Sequence, residues 1–169
     1  MMKSLRLLAG LALALALSAC SDVFLRQPYQ VLLDPPQLGY EADEQGRVVV
    51  VGNNAYVQVA PGAPGGYLER YVYVVVDNSG NEIFTGASLG SGFVAVEIPP
   101  GREEREGQIL YVSKQSQPFR FSLDGTVARE HLNQGAPLNW RARVTWYAKT
   151  LNGNEVSWEQ EYQIKYPLK

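Results

Sequence analysis

The feature that most limits what this chain can fold into is its punctuation. From residue 29 onward, short runs rich in β-branched and aromatic residues are cut by turn formers. The cuts are Asp34-Pro35-Pro36, Gly52-Asn53-Asn54, residues 61–66, residues 77–81, Pro99-Pro100-Gly101 and Asn152-Gly153. Spacing of about ten residues between turn signals reads as a succession of short strands. No long stretch of helical period lies between them, which argues against strand–helix–strand units and for an all-β sandwich or barrel.

Ten segments qualify as strands: 29–33, 47–51, 55–60, 67–76, 82–85, 93–98, 108–113, 119–123, 140–150 and 155–166. Residues 37–46 are polar and read as loop. Gly52-Asn53-Asn54 reads as a hairpin turn or bulge, and residues 126–133 are ambiguous, with Val127, Glu130 and His131 allowing one or two helical turns. The expected architecture is an antiparallel β-sandwich of about nine strands.

The last two segments can be read residue by residue. Even positions give Trp140, Ala142, Val144, Trp146 and Ala148, then Val156, Trp158, Gln160, Tyr162 and Ile164. Odd positions carry most of the charge, so period-two alternation turns the even side chains inward. A two-residue turn would set tryptophan against glutamate. A three-residue loop, Leu151-Asn152-Gly153, keeps like faces together and puts Gly153 at the left-handed position such loops need. The predicted pairs are Lys149 with Glu155, Trp146 with Trp158, and Arg143 with Glu161.

An alternating aromatic strand, an Asn-Gly turn and a second alternating strand resemble the final hairpin of immunoglobulin-like and fibronectin-type domains. The resemblance covers about thirty residues and implies an Ig-like sandwich for residues 29–169. The chain departs from antibody domains in having no cysteine pair, and Trp140 stands near where a corner tyrosine is expected.

The N-terminus has a different character. Residues 1–20 run from Lys3 and Arg6 through an unbroken Leu/Ala/Gly run, Leu7 to Leu17, to Ser18, Ala19 and Cys20. This is the order of a secretory signal helix, and its apolar run is well short of the roughly 20 residues that span a bilayer. Leu17-Ser18-Ala19-Cys20 resembles the lipobox of bacterial lipoproteins. The resemblance implies cleavage after residue 19, acylation of Cys20, residues 20–28 as a lipidated tether and a protein of the cell envelope. Ser21 rather than Asp follows Cys20, which by the same resemblance favours the outer membrane over the inner. Lys3 and Arg6 leave with the signal, so 13 basic and 17 acidic residues remain.

That balance gives no electrostatic case for nucleic acid. Cys20 is the only cysteine, so disulfides, thiolate metal sites and a cysteine nucleophile are excluded from the domain. His131 is the only histidine, lies in a polar stretch and reads as an ordinary surface or loop residue. Glu103-Glu104 sits in a charged run that reads as a solvated hairpin tip, and Glu159 and Glu161 face basic partners in the predicted register. Residues 77–82 carry oxygen ligands without the spacing of a calcium loop. Residues 86–92 lack the Lys-Ser/Thr of a phosphate loop. No catalytic residues, metal or cofactor are expected.

Tyr67, Tyr71 and Tyr73 remain as candidate binding residues. Strict alternation puts them on one face of their strand and Leu68, Val72, Val74 and Val76 on the other. With the aliphatic face inward, the tyrosines form an outward row suited to a polysaccharide or protein partner. With it outward, they pack beneath a loop. The expected function is thus a non-catalytic, lipid-anchored binding or scaffolding domain. A carbohydrate- or peptidoglycan-binding module is the alternative, and a small hydrolase using His131 or a carboxylate pair is a third.

Overall fold

A computed structural model describes residues 27–84 and 90–168 of the chain. The signal, Cys20, most of the tether and much of the loop 86–92 lie outside the described residues. The rest is an all-β sandwich with one short helix.

One sheet is built on β4 (Asn53–Val59). β1 (Tyr29–Asp34) pairs along one of its edges, and β10 (Lys114–Gln115) and β11 (Phe119–Phe121) along the other, all antiparallel. The second sheet runs β3 (Val48–Val50), β2 (Leu38–Ala42), β13 (Glu155–Lys165), β12 (Arg141–Thr150) and β5 (Gly66–Val76). β6 (Glu82–Phe84) and β7 (Ser91–Ile98) share the far edge of β5. Among the described residues, only the β2–β13 pairing is parallel. The order β13-β12-β5 facing β1, β4 and β11 matches G-F-C facing A, B and E in an immunoglobulin sandwich. β8 (Arg102–Arg105) and β9 (Gln108–Tyr111) form a separate two-stranded ribbon.

The closing hairpin has the predicted register. Trp146 faces Trp158, Arg143 faces Glu161 and Lys149 faces Glu155. Gly153 takes φ +84°, where a Cβ would be strained. The Thr150 amide donates to the Asn154 carbonyl at 2.9 Å and closes the three-residue loop.

Three expectations are corrected. Residues 37–46 are not all loop, since Leu38 and Tyr40 of β2 are fully buried. Two apolar side chains two residues apart suffice for a strand when the neighbouring β13 supplies the other half of the pairing. Gly52-Asn53-Asn54 does not close a hairpin, because β3 belongs to one sheet and β4 to the other. Glu103 and Glu104 lie within a strand, and the tip of that ribbon is Glu106-Gly107.

Between β1 and β2 the chain changes sheets at Asp34-Pro35-Pro36. Proline supplies no ladder donor, so pairing stops there. Buried Asn53 fixes the crossing by donating its amide to the carbonyls of Pro35 at 2.6 Å and Gln37 at 2.8 Å. The other crossing that matters is α1 (Gly125–Asn133), between β11 and β12. Asp124 caps it, its Oδ1 accepting from the Thr126 amide at 2.7 Å. Val127, Ala128 and His131 form its buried face.

Candidate functional site

The three tyrosines do not share a face. Tyr67 is 51% exposed, Tyr71 is partly buried and Tyr73 is 8% exposed. The cause is one residue. Opposite β12, Tyr147 pairs with Arg70 but Ala148 pairs with Leu68, leaving Glu69 as an extra residue in β5. A bulge reverses the parity of everything beyond it. Leu68 therefore faces the core before the bulge, and Tyr71, Tyr73 and Val75 face it afterwards. Tyr71 packs edge-on against Phe121, with ring centres 4.9 Å apart, and tilted against Trp146 at 5.5 Å. Tyr73 accepts from the Asp124 amide at 3.0 Å, so it supports the start of α1. Burial pushes the Tyr73 hydroxyl up to about 12 and raises that of Tyr71. The shared face expected from strict alternation is absent, so neither a row of three outward tyrosines nor three packed beneath one loop forms, and Tyr67 alone of the three is a surface side chain.

His131 is not a surface residue either. It is 1% exposed, on the inner face of α1. Its Nε2 lies 2.9 Å from the Pro137 carbonyl oxygen, which can only accept, so Nε2 carries the proton. Nδ1 then accepts from the Tyr40 hydroxyl at 2.8 Å. Burial lowers the pKa of the ring, and the Pro137 bond opposes that shift. Trp140 and Tyr40 pack against the imidazole, and Tyr166 stacks on Tyr40. With both nitrogens engaged in the core, the ring cannot serve as a base toward a surface substrate.

The carboxylates singled out in the sequence are engaged as follows. Asp77 accepts from the amides of Ser79 at 2.8 Å and Asn81 at 3.0 Å and from the Asn81 side chain at 3.1 Å. These bonds lower its pKa, the Asn81 side chain contributing most, and they make the loop a self-contained turn. Glu161 accepts from Arg143 at 3.0 Å and Arg141 at 3.4 Å, but Glu159 has Thr145 opposite it in place of the expected basic partner and lies 3.5 Å from its hydroxyl. Glu103 pairs with Lys114 at 3.2 Å. Half-exposed ion pairs of this kind contribute about 0–1 kcal/mol each.

Among the described residues, exposed apolar side chains gather in two places, with Val49, Ile83 and Leu138 standing apart from both. Phe93 on β7 is 93% exposed and stands beside Tyr67. The larger feature is the β8–β9 ribbon, all eight of whose strand residues are exposed, Ile109, Leu110 and Tyr111 among them. At its base, Pro64, Pro100, Tyr111 and Leu151 line a groove of about 300 Å³. Residues 108–113, expected from their composition to be one more strand of the sandwich, pair instead with β8 alone over Gln108–Tyr111. The missed signal is the register: Arg102-Glu103-Glu104-Arg105 lies opposite Gln108-Ile109-Leu110-Tyr111. A strand whose partner is wholly charged cannot be taken into a core without burying those charges.

Compared with known proteins, the chain matches no family model and no curated protein.

Proposed function

We propose that this chain is a lipid-anchored protein of the bacterial cell envelope whose sandwich binds or scaffolds another envelope component without catalysis. The observation that carries the reading is Leu17-Ser18-Ala19-Cys20, placed after a basic and then apolar segment and holding the only cysteine. Each buried acyl CH₂ contributes about 0.8 kcal/mol, and stable anchoring takes more than one chain. A multiply acylated Cys20 meets that requirement with no spanning helix. Among the described residues, no helix is long and apolar enough to cross a membrane. The position of Cys20, eight residues before Pro28, supports the same reading, because it leaves the sandwich outside the bilayer. Ser21 after the cysteine supports the outer membrane as the destination.

Cells fed radiolabelled palmitate should transfer label to the wild-type chain and not to Cys20→Ala. The variant should also leave the membrane fraction. A Cys20→Ala protein that still takes up label would end the lipoprotein reading.

A further inference from the structure

We propose that the β8–β9 ribbon is a second membrane contact, resting on the leaflet that holds the acyl chains. The inference depends on the anchoring reading above.

The ribbon and the chain entry share one end of the sandwich. Pro28 immediately precedes β1, and its carbonyl accepts from the Ala60 amide at 2.9 Å. Residue 60 opens the loop 60–66. The Gly62 amide in that loop donates to the Gly101 carbonyl at 2.8 Å, and the Gly101 amide donates back to Ala63 at 2.9 Å. The Val112 amide closes the ribbon's base on the same Gly101 carbonyl at 3.1 Å. A Cβ at Gly101 would strike the Ala60 carbonyl oxygen, so only glycine permits this junction. The Leu151-Asn152-Gly153 loop completes the same end, the Leu151 amide donating to Gly65 at 2.9 Å. The loop carrying exposed Leu138 lies at the other end, just before β12 starts opposite Val76.

Lengths agree with contact. Eight residues from Cys20 to Pro28 reach at most about 28 Å when fully extended. A four-residue strand extends about 13 Å. The ribbon thus meets the bilayer well before the tether is taut. Its composition suits an interface. Ile109, Leu110 and nearby Leu151 offer apolar side chains, Tyr111 presents an amphipathic ring, and Arg102 and Arg105 offer cations to lipid phosphates. Of the ribbon's acids, Glu103, facing Leu110, is paired with Lys114, while Glu104 faces Ile109 and Glu106 stands at the tip. Among the described residues the ribbon packs on no other sheet and is exposed on both faces, so further burial comes from a surface beyond them, and on the anchoring reading the leaflet that holds Cys20 lies within reach.

The test uses the full lipidated chain in vesicles of phosphatidylethanolamine and phosphatidylglycerol. Ile109→Cys and Tyr111→Cys each carry a polarity-sensitive fluorophore, and Leu138→Cys carries it at the opposite end. Acylation of Cys20 leaves the new thiol as the only one to label. The ribbon probes should shift to the blue and be quenched by lipid-borne nitroxides at least twofold more than the Leu138→Cys probe. Equal, solvent-like emission at both ends of vesicle-bound protein would overturn the inference. So would shielding that appears only when envelope proteins are added, which would make the occupant a protein. Mass analysis of Cys20 on the same samples separates the two readings. An acylated chain with unquenched ribbon probes defeats the ribbon contact alone, and an unacylated chain defeats the anchor and the contact together.

Discussion

Trp146 is the side chain on which the two sheets close. It comes from β12 and meets Phe119 and Phe121 of β11, along with Tyr71 and Tyr162 of its own sheet. It is fully buried. Trp146→Ala should therefore cost about 3–5 kcal/mol in denaturant unfolding, as loss of a large buried ring does. His131 makes a prediction of a different kind. Its folded pKa lies below the ordinary value of 6.5, so below that pH the unfolded chain takes up a proton that the folded chain refuses. Its contribution is complete above pH 6.5 and is lost as pH falls toward the folded pKa. Unfolding free energy should drop between pH 7 and pH 5, and His131→Gln should flatten that slope. Asp43 and Asp77 have pKa values lowered from 3.8, so their losses fall at more acidic pH and leave the histidine window clear. The sequence marked His131 as solitary and in polar company. It could not show that Tyr40 and Pro137, from elsewhere in the chain, would wall it in.

At the scale of elements, the contrast lies between the β12–β13 hairpin and β5. The hairpin was legible because its register is a local matter. Alternation, loop length and a glycine in the left-handed region all act within thirty residues. β5 alternates just as plainly on paper, yet its faces reverse at Glu69, an exposed residue with no sequence mark of a bulge. What fixes the bulge is competition. Leu68 before it and Tyr71 and Tyr73 after it must all reach one core, and one extra residue is the only way to reconcile their spacing. Deleting Glu69 removes the extra residue and leaves Leu68, Tyr71 and Tyr73 in regular alternation on the core face, so cooperative unfolding by circular dichroism should persist, and its loss would show that the bulge does more than reconcile their spacing. Glu69→Ala keeps the residue count and should change stability by less than about 0.5 kcal/mol.

The whole molecule is tied together where its first strand divides. β1 joins one sheet and β2 the other, which leaves an edge of β1 facing β13. Gln160 covers that edge, its Oε1 accepting from the Val31 amide at 2.6 Å and its Nε2 donating to the Val31 carbonyl at 3.3 Å. The Tyr162 hydroxyl donates to the same carbonyl at 2.8 Å. A glutamine in the inward row of β13 looks misplaced in the sequence, and it becomes a bridge once the two strands lie side by side. An edge strand capped in this way offers no free ladder to another chain at that point. The sequence alone determined the all-β class, the final hairpin down to its pairs and the expectation of an anchor at Cys20. Each rests on period, turn chemistry or a contiguous motif, which are properties of neighbouring residues. The tertiary structure decided which face of β5 is the core, that His131 is buried, that residues 38–42 form a strand, and that residues 102–111 stand apart as a ribbon beside the chain entry. Those outcomes depend on burial shared among segments up to 131 residues apart, and local pattern carries no record of which distant segment will supply the partner.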